Sequence, residues 1–165
     1  MAQRSGDSAI AAFAQSIELA LVQTYAAIGA TGKVTTAAAV DAIATSGSHH
    51  DEHSRALGGV AGSAATSTPN RKLLNQFRDE VRKAADERAL VDIAYRLENQ
   101  AAATYLFALG ALEATGAVQL AASILPVESQ HAVVFAALLG KDTRETFPTF
   151  QTQDEALKPD EFPVS

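Results

Sequence analysis

The sequence predicts an all-α fold with four long helices, and three observations carry the prediction. Alanine and leucine dominate the 165 residues, β-branched runs are short, and apolar residues recur at intervals of three and four rather than alternating. With 47% hydrophobic residues the chain is long enough to bury one sizeable core.

Taken in order, the first long helix is expected from about Asp7 to Ala30, where the glycines of GATGK offer helix-ending conformations. A second starts after Thr35 or Thr36 as N-cap and continues through three histidines to about Val60. The segment GSAATSTPN, residues 62–70, reads as a loop with Pro69 placed at a helix start. From Asn70 to about Ala85 the charged stretch RKLLNQFRDEVRKAA makes a short amphipathic helix that buries Leu73, Leu74, Phe77 and Val81. Asp86 caps the third long helix, which ends near EATGA. The fourth runs from about Ala117 to Leu139, stops at Gly140, and is expected to kink at Pro126, which removes one backbone donor. Residues 141–165 mix proline with phenylalanine and read as an extended tail packed on the helices of residues 1–140.

Composition narrows the function. A net charge of −6 leaves no basic stripe for a phosphate backbone, which argues against nucleic acid. No apolar run reaches the ~20 residues of a membrane span, and MAQRSGDSAI lacks a charged segment followed by an apolar one. The expectation is a soluble chain, cytoplasmic as given or the mature form of an exported protein. Without cysteine, disulfides, thiolate zinc sites and iron–sulfur clusters are excluded, so any metal must be held by nitrogen and oxygen.

Two stretches raise that prospect. IELALVQTY, 17–25, and LENQAAATY, 97–105, share the order apolar, Glu, Thr, Tyr, and place Glu18 and Glu98 80 residues apart. On a wheel at roughly 100° per residue, Glu98 sits mid-stripe among Val91, Ala94, Ala101, Ala102, Tyr105 and Leu109, with Arg96 on the far side. Glu18 sits likewise among Ala11, Ala14, Leu21, Val22 and Tyr25. Buried carboxylates are rare unless paired or metal-bound. In VESQHAVVF, Glu128 and His131 project from one face at i, i+3; in HHDEHSRAL the inward pair is His50 and His53, with His49 at the edge of that face. His50 to Glu128 and His53 to His131 are both 78 residues, so the chain reads as two copies of a helix pair, each giving one Glu and then an i, i+3 pair ending in His. Burying these groups without a metal would leave several unsatisfied, each at a cost of about 1–3 kcal/mol. Imidazole and carboxylate together suit iron, manganese or zinc.

At these residues the chain resembles the ferritin-like family, whose four-helix bundles hold a dinuclear metal centre with a Glu from each of two helices and Glu-x-x-His from each of the other two. The resemblance spans roughly residues 7–140 and implies an up-down bundle with a long crossover carrying the short extra helix. Glu18, Glu98, Glu128 and His131 match the motif position by position, and His53 matches the remaining histidine. FAQSIELALVQTY, HHDEH and FPTFQTQDEALKP resemble a bacterial branch of the family, often exported. The departure is His50, which stands where the family has a bridging glutamate. Three carboxylates then face two divalent ions, leaving one positive charge uncompensated.

The resemblance implies a di-iron centre with ferroxidase or peroxide- and oxygen-consuming redox chemistry, with manganese or zinc as other metals. Tyr25 and Tyr105, about two turns from their glutamates, are either core packing or hydrogen-bond partners of ligands. The alternative is a non-catalytic metal-binding or stress-related interaction protein with a mononuclear or zinc site. A homodimer packed through helix faces is the expected assembly.

Overall fold

The computed structural model describes residues 2–146 and 150–164. Four helices of 25 residues or more form the bundle: α1 (Ala2–Ala30), α2 (Ala37–Ala61), α4 (Glu87–Ala111) and α5 (Thr115–Leu139). The shorter α3 (Arg71–Lys83) lies on the crossover after a 3₁₀ turn at Gly62–Ala64, and a single helical turn, α6 (Thr143–Thr146), begins the tail. No strand occurs among the described residues. The all-α expectation holds.

Several ends differ from the sequence reading, each for a physical reason. α1 begins before Asp7, because that residue does not start its own helix: its carboxylate accepts from the backbone N–H groups of Glu113 and Ala114 at 3.0 and 2.7 Å, at the start of α5. Of the two glycines in GATGK, Gly29 stays helical and only Gly32 takes positive φ, +65°. Thr36 occupies the N-cap position of α2 without capping it through its side chain. The carboxylate of Glu87, at the first position of α4, accepts instead from the N–H groups of Thr35 and Thr36 at 2.6 and 2.9 Å. Pro69 precedes the cap of α3 rather than opening the helix; Asn70 is the cap, accepting from Leu73 N–H at 3.2 Å. Asp86 caps α4 as expected, accepting from Ala89 N–H. α5 starts two residues early, continues through Pro126, and stops at Gly140, whose left-handed φ of +67° lets Lys141 N–H reach back to Ala136 O at 3.0 Å.

α1 pairs with α2 and α4 with α5 along their lengths, while α3 and the tail cover the outside. The main core joins Phe13, Ile17 and Leu21 of α1 to Phe77 of α3, Leu97 of α4 and Phe135 of α5. Asn70, fully buried, also donates from its side-chain amide to Phe162 O at 2.9 Å, and Leu157 N–H donates to Thr104 Oγ1. Ala156, Leu157 and Phe162 are thereby buried. By length and composition alone α5 is the one described helix apolar enough to cross a membrane, but Glu128, Gln130 and His131 interrupt its apolar residues, and no clear span results. In the bundle that helix packs along α4 and carries the buried Glu128 and His131, so its apolarity serves a protein core.

Candidate metal centre

The inward stripe of each long helix delivers one or two ionisable side chains to the same buried space. α1 contributes Glu18, α4 Glu98, α2 His50 and His53, and α5 Glu128 and His131. Glu98, Glu128 and His50 are 0% exposed and Glu18 is 1% exposed. None of these glutamates is met by a lysine or arginine among the described residues; their ion-pair partners are all histidines. Arg96 faces outward, bound to Asp92 and Glu80.

His50 stands at the middle. Its Nδ1 lies 2.7 Å from Glu18 Oε2 and its Nε2 3.2 Å from Glu98 Oε1, with Glu128 Oε1 3.7 Å from Nδ1. On one side His131 Nδ1 is 3.2 Å from both Glu98 Oε2 and Glu128 Oε2. On the other, His53 Nδ1 is 3.0 Å from Glu128 Oε1 and 3.9 Å from Glu18 Oε2. Two overlapping groups result: Glu18, His50, His53 and Glu128, and His50, Glu98, Glu128 and His131. In each, one ligand atom per residue lies within 4.8 Å of all the others.

The tyrosines reach across the bundle. Tyr25 of α1 donates its hydroxyl to Glu98 Oε1 of α4, and Tyr105 of α4 donates to Glu18 Oε1 of α1. Burial first, then the charge of the accepting carboxylate, push both phenols well above their ordinary range, so they remain protonated donors. Tyr25 also stacks on His50, with ring centroids 5.3 Å apart, and walls off the centre from an outer apolar cleft of about 430 Å³ between α1 and α2.

Burial disfavours charge on His50, but the attraction of Glu128, Glu98 and Glu18 overcomes it and raises its pKa well above 6.5. His131 follows the same balance: burial opposes, the bonds to Glu128 and Glu98 prevail, and its pKa rises to about 9. Glu98 is held below its ordinary value; burial acts against this, and His50 and His131 outweigh it. Glu128 moves upward, chiefly because of burial. Without metal, His50 and His131 thus set imidazolium charge against Glu98 and Glu128.

That balance is incomplete. Glu128 Oε1 and His53 Nδ1 are buried and make no hydrogen bond, although they lie only 3.0 Å apart. Two ligands about 2.1 Å from one ion and roughly at right angles would have a separation of about 3 Å. These orphaned atoms fit a metal better than each other, and a donor set of imidazole and carboxylate fits iron, manganese or zinc.

His49 takes part where the sequence placed it only at the edge of the inward face. Its Nδ1 lies 2.8 Å from His131 Nε2, with the ring centroids 5.1 Å apart. Partial burial and the neighbouring His131 lower its pKa. The HHxxH spacing was the signal, but the pairing depends on how closely α2 approaches α5.

The ferritin-like domain family model matches residues 6–141. Neither a curated protein nor a solved structure matches the chain. With the match covering most of the sequence, and with an all-helical bundle enclosing a histidine–glutamate cluster able to hold a metal, this chain belongs to the ferritin-like domain family.

Proposed function

We propose that this ferritin-like protein holds two divalent ions, iron foremost, and performs ferroxidase or oxygen- and peroxide-consuming redox chemistry. The observation that carries the reading is the convergence of Glu18, His50, His53, Glu98, Glu128 and His131 on one buried space, with Glu128 Oε1 and His53 Nδ1 left unsatisfied. Glu18 and His53 would hold one ion, Glu98 and His131 the other, and Glu128 and His50 lie between the two groups. Iron there would supply reversible electron exchange with oxygen or peroxide. The chain's own part is to provide three carboxylates, exclude bulk water by burial, and orient two of those carboxylates with Tyr25 and Tyr105. His131 must release its Nδ1 proton to ligate through that atom.

The test is metal content per chain by inductively coupled plasma mass spectrometry after anaerobic Fe(II) loading and desalting, followed by oxygen uptake. About two irons per chain and Fe(II)-dependent oxygen consumption are expected; no consumption above buffer would sink the redox reading. A second reading, non-catalytic binding of zinc or of a single ion, is favoured by His50, which engages Glu18 and Glu98 through its two nitrogens and is itself a source of positive charge. Occupancy of one or less that rises only in His50→Glu would favour that reading.

A further inference from the structure

We propose that His49 is a positioning residue that clamps His131 and makes the half-site of His50, Glu98, Glu128 and His131 bind metal more tightly than the half-site containing His53. The inference rests on the metal-binding reading above. His131 presents Nδ1 to the centre, 3.2 Å from each of two carboxylates, and Nε2 outward. A neutral imidazole that ligates through Nδ1 carries its proton on Nε2. That N–H points at His49 Nδ1, 2.8 Å away, which accepts it and fixes both the tautomer and the ring plane. The two rings lie end to end along this contact, 26° from parallel, so that turning the His131 ring would break it. Among the described residues His53 has no equivalent clamp: its Nδ1 faces Glu128 and Glu18, no side chain is hydrogen-bonded to its Nε2, and its ring meets His49 only at 6.5 Å and a tilt of 42°. One half of the centre is preorganised and the other is not, although the repeat in the sequence suggests equality. Outer partners of metal-bound histidines commonly change affinity by about 10–100-fold.

His49 lies on the exposed side of α2, so substitution there leaves the core intact. The experiment titrates Co(II) into the full metal-free chain against a competing chelator, for wild type, His49→Phe and His49→Asn, and records the paramagnetically shifted exchangeable imidazole protons by NMR. Phenylalanine keeps a ring of similar bulk without the acceptor; asparagine restores an acceptor near the Nδ1 position. The expected result is two unequal steps in wild type. The tighter step weakens about 10–100-fold in His49→Phe and recovers in His49→Asn, while the weaker step is unchanged. The slowly exchanging His131 Nε2–H signal should broaden in the phenylalanine variant and return with asparagine. Wild type and His49→Phe binding alike, or equal loss in both steps, would overturn this proposal alone. Wild type that takes up no Co(II) would overturn the metal reading and this proposal with it.

Discussion

The hydroxyls of Tyr25 and Tyr105 each serve the glutamate of the other's helix. A carboxylate with no exposure depends on every donor it has, since no water replaces a lost one. Tyr25→Phe should therefore destabilise the metal-free protein by about 1–3 kcal/mol in urea denaturation, and Tyr105→Phe by a similar amount. In a double-mutant cycle the cost of Tyr25→Phe should shrink when Glu98 is already Gln; an unchanged cost would mean that the hydroxyl stabilises something else. At this scale the sequence was partly legible. The burial of Glu18 and Glu98 follows from their mid-stripe positions, because a wheel needs only local periodicity. The exchange of partners does not, because it depends on which helices are neighbours and on their vertical offset. His49 escaped full recognition for the same reason.

At the scale of the helices, crossing recurs at the ends. Asp7 of α1 accepts at the start of α5, and Glu87 of α4 accepts at the start of α2. Asp7 and Glu87 are 80 residues apart, the interval that separates Glu18 from Glu98 and Tyr25 from Tyr105. The cap that Asp86 supplies to its own helix α4 was readable as a local pattern; the Asn70 cap of α3 was passed over for Pro69, and a cap delivered from a helix some 50 residues away was not readable. Glu87 also carries a pH prediction. Backbone bonds from Thr35 and Thr36, then the Thr36 hydroxyl, lower its pKa from 4.5 to about 2. A carboxylate with depressed folded pKa contributes stability above its unfolded value and loses it as pH falls through the folded one. The melting-temperature difference between wild type and Glu87→Ala should thus be constant above about pH 5 and close between 4.5 and about 2. A difference that stays constant down to pH 2 would contradict the cap.

For the whole molecule, the crossed tyrosines and crossed caps tie the α1–α2 pair to the α4–α5 pair, and a bound metal would join the same two halves. Metal-loaded protein should melt above the chelated form, and chelation should reverse the gain. Because His131 holds its proton up to about pH 9 in the metal-free state, uptake at pH 7 should release protons and apparent affinity should rise with pH. Calorimetry in two buffers of different ionisation enthalpy reads that release; identical heats would contradict it. The tyrosine arrangement has a practical consequence as well. The chain contains no tryptophan and three tyrosines, and two of those three donate to carboxylates of the centre. Near-ultraviolet absorption is therefore dominated by side chains in direct touch with the candidate site. The native protein carries its own optical gauge of that site, with no label or engineered chromophore required.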